Sequence, residues 1–169
     1  MTPVLVLVGP PGAGKTTIGR LVAERLGLPF RDTDADVVQQ VGKPIAEVFI
    51  DDGEEHFRAL EKAAVAAALA SHGGVLSLGG GAVLDAGTRE LLRGQQTVLL
   101  DVDLASAAGR VGMNRDRPVL ALNPRAQLKR LLDARMPLYL EVAGHVVDTS
   151  RKPPRQVVDE VLGLLQSVP

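Results

Sequence analysis

Gly9-Pro10-Pro11-Gly12-Ala13-Gly14-Lys15-Thr16 fits the pattern G-x-x-x-x-G-K-[ST], and what lies on either side of it decides the fold. Glycines in such a loop let successive backbone N–H groups turn inward around phosphate oxygens. Before it runs Val4-Leu5-Val6-Leu7-Val8, a short continuous apolar stretch of the kind that makes a strand buried on both faces. After it, Ile18, Leu21, Val22 and Leu26 recur at helical spacing, and Gly27 is a stop signal. A helix that starts near Gly14 aims the positive end of its dipole at the same anion. In this pattern Lys15 reaches the β- and γ-phosphates of a nucleotide, and the Thr16 hydroxyl binds Mg²⁺. Gly12, Ala13, Gly14 and Thr17 belong to the same nucleotide-binding set. The bland alternative is an ordinary glycine-rich turn.

Outward from the loop, strands are expected at 28–32, 75–78, 98–100 and 145–147. Helices are expected at about 37–41, from Asp51 or Asp52 to about 70, and at 85–93, 104–111, 125–141 and 154–167, with a break or kink near Pro137. Residues 112–123 have no clean period and read as a loop. Strands alternating with helices imply an α/β three-layer sandwich, a five-stranded parallel sheet with helices on both faces. No linker, repeat or low-complexity stretch interrupts 1–169, so one domain is expected.

The 169 residues suffice for one domain with a real core, and 46% apolar and 23% charged content is that of a globular protein. A formal net charge of −1 argues against nucleic acid or an anionic membrane as the main partner. There is no Cys, which excludes disulfides and Cys-based zinc sites, and His56, His72 and His145 lack metal-ligand spacing. No apolar stretch approaches the ~20 residues of a membrane span, and the run at 4–8 is too short for a secretory signal. The expectation is a cytoplasmic protein.

Further along stand Asp32-Thr33-Asp34, Asp52-Gly53-Glu54 leading to Phe57-Arg58, Leu76-Ser77-Leu78-Gly79-Gly80-Gly81-Ala82-Val83, Arg117-Pro118, and Arg135 with Pro137-Leu138-Tyr139. In open α/β sheets ligands bind outside the carboxyl ends of strands. There the second strand would deliver carboxylates, the third glycines and the first the phosphate loop. In this order and at these spacings, the motifs resemble shikimate kinase over essentially the whole chain. The resemblance implies a P-loop kinase that transfers the ATP γ-phosphate to shikimate in the chorismate pathway, with Mg²⁺, and acts as a monomer. Val119 stands where the family commonly has Leu, which alters one apolar contact.

The resemblance also implies roles. Lys15, Asp34 and Arg117 would be catalytic, with Asp34 accepting from the acceptor hydroxyls and serving as base. Arg58 and Arg135 would hold the shikimate carboxylate, a task suited to a planar fork. Gly79, Gly80 and Gly81 would bring backbone N–H groups to ligand oxygens, and Phe49, Phe57 and Pro118 would wall the ring. The substrate segment would be about 33–60. A mobile lid at about 112–124 would carry Arg117 to the transferring phosphoryl group. Three Phe, one Tyr and no Trp leave no ready aromatic stack for adenine, so Arg110 and the loop ending at Pro154 would flank it. Asp101 ends a strand that looks like a second magnesium-binding pattern, but the resemblance places Asp32 near the metal instead.

Each role has a plainer reading. Asp34 can cap a helix, Arg58 can pair on the surface with Glu54 or Glu61, and the three glycines can be a turn. Arg117 can be solvated, Arg135 structural, and both Phe core. The functional alternatives are another small-molecule P-loop kinase, of gluconate type, or a catalytically dead nucleotide-binding relative.

Overall fold

The computed structural model describes residues 1–111 and 124–166. Along β1 (Leu5–Val8) the side chains alternate between two cores: Leu5 and Leu7 enter one, Val6 and Val8 the other, all at most 1% exposed. A strand buried on both faces has nowhere to put a polar residue, which explains the continuous apolar run. The remaining strands are β2 (Phe30–Asp32), β3 (Val75–Ser77), β4 (Thr97–Asp101) and β5 (His145–Asp148). All pairings are parallel and the order is β2-β3-β1-β4-β5, with β1 central. The chain runs from β1 out to the β2 edge, returns to β3, then crosses to β4. Strand order therefore reverses at β1, and a crevice opens at its carboxyl end.

One helical layer holds α1 (Lys15–Leu26), α6 (Leu104–Val111), the first half of α7 (Pro124–Val142) and α8 (Pro154–Gln166), packed on Leu5, Leu7, Val98 and Leu100. The other holds α4 (Glu54–Ser71), α5 (Ala86–Leu91), a 3-10 turn at Ala82–Leu84 and the end of α7, packed on Val6, Val8, Leu76 and Leu99. A third, smaller cluster of Val37, Val48 and Phe57 ties α4 to α2 (Thr33–Val41) and α3 (Ile45–Asp52).

Four local expectations need correction. β2 begins at Phe30, because the Leu28 N–H closes the end of α1 on Ala23 O at 2.9 Å. A separate helix, α3, stands where none was expected, and Gly53 with φ 88° divides it from α4, so the cap is Gly53 and not Asp51 or Asp52. The helix after β2 starts at Thr33 and is capped by Asp32, whose Oδ1 accepts from the Asp34 N–H at 2.9 Å; Asp34 is not the cap. Finally, α7 runs unbroken through Pro137. A mid-helix proline costs about 3 kcal/mol, and buried Leu128, Leu132 and Tyr139 on both sides of it hold the helix against the sheet. Residues 112–123, which include Arg117 and Pro118 and almost all of the expected lid, lie outside the described residues.

Candidate active site

The loop leaves β1 at Gly9 and ends at Gly14, which caps α1 with φ 90°, a conformation that disfavours any side chain. α1 therefore starts at Lys15 with its amino end facing the crevice. Lys15 Nζ donates to Gly9 O at 2.6 Å and Pro10 O at 3.1 Å, across the loop. Ala13 is fully buried and its N–H donates to Pro10 O at 3.2 Å, so it is a structural pivot of the turn. Arg110 on α6 braces the loop from the far side, donating to Gly12 O at 3.0 Å and to Thr149 O at 2.7 Å.

A cleft of about 390 Å³ opens over this loop. It brings together Gly12, Gly14, Lys15, Thr16, Thr17 and Arg110 with Asp32 from the end of β2, Asp34 from the first turn of α2 and Gly80 from the turn after β3. Thr16 Oγ1 donates to Asp32 Oδ2 at 2.9 Å. Two hard oxygen donors beside a phosphate loop form a donor set that suits a small divalent cation held otherwise by phosphates and water. Asp101 makes no such pair: its Oδ1 accepts from the next residue, Val102 N, at 2.8 Å.

Next to the cleft the three glycines leave a side chain little room unless its neighbours move. A Cβ on Gly79 would overlap the Asp34 carboxylate and lie 2.8 Å from Glu61 Oε2. A Cβ on Gly81 would lie 2.6 Å from the Arg58 guanidinium carbon. One on Gly80 would come within 3.5 Å of Arg135. The glycines are thus the floor on which Asp34, Arg58 and Arg135 meet. Thr33, itself buried, fixes that floor by accepting from the Gly79 N–H at 3.2 Å.

Arg58 is held by Glu61 at 2.8 Å and lies over the rings of Phe57 and Phe49, 5.2 and 5.9 Å from their centroids. Phe57 is at the same time a core residue, 3% exposed. The Arg58 Nε is buried and has no hydrogen-bond partner. A planar guanidinium fixed in this way suits a carboxylate ligand, but Arg58, like Arg135, Phe49 and Phe57, is not among the residues that line the cleft over the phosphate loop. The surface-pair reading of Arg58 fails in its location: the partner is Glu61, and Glu61 is only 3% exposed. Burial pushes the Glu61 carboxyl above its ordinary value; Arg58 opposes the shift and Asp34 adds to it. Glu61 was legible only as an i+3 neighbour of Arg58, and nothing in its spacing signals burial. Tyr139, fully buried, donates its hydroxyl to Gly80 O at 2.6 Å and was visible only as part of a motif. Pro154 stands apart, exposed in the first turn of α8, and does not line the cleft.

The family model described as shikimate kinase matches residues 11–166. The shikimate kinase of Saccharopolyspora erythraea is 60% identical over 163 residues, covering 96% of this chain and 93% of that protein. That of Salinispora arenicola is 59% identical over 165 residues, covering 98% of this chain and 99% of that protein. Among solved structures, the shikimate kinase from Acinetobacter baumannii in complex with shikimate superposes with a TM-score of 0.93 at 36% identity, over 99% of this chain and 94% of that one. A likeness of this extent, together with the phosphate loop and the guanidinium pair, separates the chain from the gluconate-type alternative: it belongs to the shikimate kinase family and is an ATP-dependent small-molecule kinase.

Proposed function

We propose that the cleft over β1, β2 and β3 takes ATP with Mg²⁺ and shikimate side by side and moves the γ-phosphate to the 3-hydroxyl, giving ADP and shikimate 3-phosphate. The observation that carries this is the glycine floor. It sets Asp34, Arg58 and Arg135 within one side chain's reach of Gly79–Gly81, and Gly80 also lines the cleft shared with Lys15.

On this reading Lys15, with the loop N–H groups and the α1 amino end, holds the β- and γ-phosphates. Thr16 and Asp32 hold Mg²⁺, which supplies charge neutralisation for the phosphates. Arg110 steadies the nucleotide side of the loop. Arg58 and Arg135 grip the acceptor carboxylate, with Phe49 and Phe57 against the ring. That grip leaves the far end of the ring toward Asp34, whose carboxylate takes the hydroxyl proton as the oxygen attacks phosphorus. The Gly80 N–H faces the transferring group. Arg117, by resemblance, adds positive charge there, and Pro118 an apolar contact; the lid role of 112–124 belongs to the same reading. Catalysis here is positioning plus electrostatics, as phosphoryl transfer requires. Pro154 is left with a minor part at the nucleotide's edge.

The same reading makes the protein a cytoplasmic monomer with no nucleic acid or membrane partner. It is supported by the near-zero net charge and by the absence, among the described residues, of a helix long and apolar enough to cross a membrane. The test is phosphorus and proton NMR of the product. A single phosphate ester coupled to the proton at carbon 3 is expected with the parent protein and none with Lys15→Met or Asp34→Asn. An ester at another hydroxyl sinks the assignment.

A further inference from the structure

Tyr139 sits where the two halves of the site touch. It is the largest side chain that the fold buries completely. Its hydroxyl donates to Gly80 O at 2.6 Å, 59 residues away in the chain. One helical turn earlier on α7, at the i−4 position that shares its face, stands Arg135, whose Nη1 would lie 3.5 Å from a Cβ on the same Gly80. Burial pushes the phenol up to about 12, with Arg135 the largest opposing influence, so the group remains a donor at any physiological pH. The carbonyl it grips belongs to the middle glycine, the one of the three that is partly open to the cleft. Gripping the carbonyl fixes the rotation of the Gly80–Gly81 peptide plane, one of the two that flank the middle glycine. At the other end of the turn the Gly79 N–H is tied to Thr33 Oγ1.

From this geometry we infer that Tyr139 is a positioning residue for phosphoryl transfer: its hydroxyl locks the Gly79–Gly81 turn and Arg135 in one register, aligning the phosphate side of the site with the acceptor side. The inference rests on the proposed function, in which Gly80 faces the γ-phosphate and Arg135 the acceptor carboxylate. Each substrate alone can tolerate a turn that rocks slightly. The transfer step, which needs both partners aligned, cannot.

Tyr139→Phe removes the hydroxyl and keeps the ring. The expected result is a kcat lower by about 10-fold or more, while the affinities for ATP alone and for shikimate alone change by less than about twofold. Binding of ADP with aluminium fluoride in the presence of shikimate, which mimics the transition state, is expected to weaken by the same factor as kcat. A kcat within about twofold of the parent overturns the inference, as does a fall in both binary affinities in step with kcat, which marks general loosening. Because Tyr139 is the single tyrosine of the chain, 3-fluorotyrosine labels it alone and serves if the Phe variant does not fold. Its fluorine resonance is expected to shift in the ADP–aluminium fluoride–shikimate complex beyond the sum of the shifts caused by ADP and shikimate separately; additive shifts overturn the inference. A parent protein that releases no ADP in response to shikimate sinks the functional reading itself, whereas an active parent beside an equally active Tyr139→Phe sinks only the role of Tyr139.

Discussion

Buried Glu61 and half-buried Arg58 show how one ion pair couples binding to stability. Since burial raises the Glu61 carboxyl above its ordinary 4.5, the fold favours the neutral acid. Below that value the group is neutral in both folded and unfolded chains. As pH rises through the raised folded value, the unfolded chain has already released its proton, so the folded state loses this contribution. Thermal unfolding of the parent and Glu61→Gln from about pH 4.5 to 8 should show the parent losing ground to the variant as pH rises; parallel profiles contradict the account. Arg58 carries a different expectation. A hydrogen bond to a charged group contributes about 1.5–3 kcal/mol, so Arg58→Ala should raise KM for shikimate by about 10- to 100-fold and leave KM for ATP nearly unchanged. Steady-state kinetics with each substrate varied in turn separates the two. Both residues were visible in the chain, yet their relation was not. Spacing puts Glu61 beside Arg58 on a helix face, but only the packing of α4 under the β3 glycines turns that face inward.

Among the elements, the turn after β3 is the most constrained. A methyl on Gly79 overlaps the Asp34 carboxylate, so Gly79→Ala should lower kcat by about 100-fold through displacement of Asp34. It should also cost about 1–3 kcal/mol of stability, as overpacking does. Gly163→Ala is the contrast. It lies within α8 with nothing within 4 Å of an added Cβ, so it should raise stability by about 0.5–1 kcal/mol without touching kcat. Chemical denaturation and initial rates on both variants check the pair. The strands, α1 and the phosphate loop were legible because each has a signal that physics makes local: an apolar run, a helical period, a Gly-rich loop before Lys15. α3 was not legible. The Val48 contact that stabilises it reaches across to Val37 and Phe57, which no local pattern announces. At Pro137 a break or a kink was expected, and the break does not occur, since tertiary burial outweighs a local breaker.

At the scale of the whole molecule, the reversal of strand order at β1 gathers residues from positions 9 to 139 at one end of the sheet. On the proposed reading nucleotide contacts come from α1 and α6 and acceptor contacts from α2, α4 and α7, with the glycine turn after β3 between them. That convergence could be anticipated from the topology, because the motifs fall at expected strand ends. Which atoms touch could not, and the buried connectors Thr33, Glu61 and Tyr139 are the result. The measurement that bears most directly on the account is ADP release by the purified protein with Mg·ATP, with shikimate added or omitted and with gluconate and AMP as control acceptors. The account predicts release that depends on shikimate, is not supported by either control, and is abolished by Asp34→Asn. Release that follows another acceptor, or a slow release indifferent to all three, would contradict it.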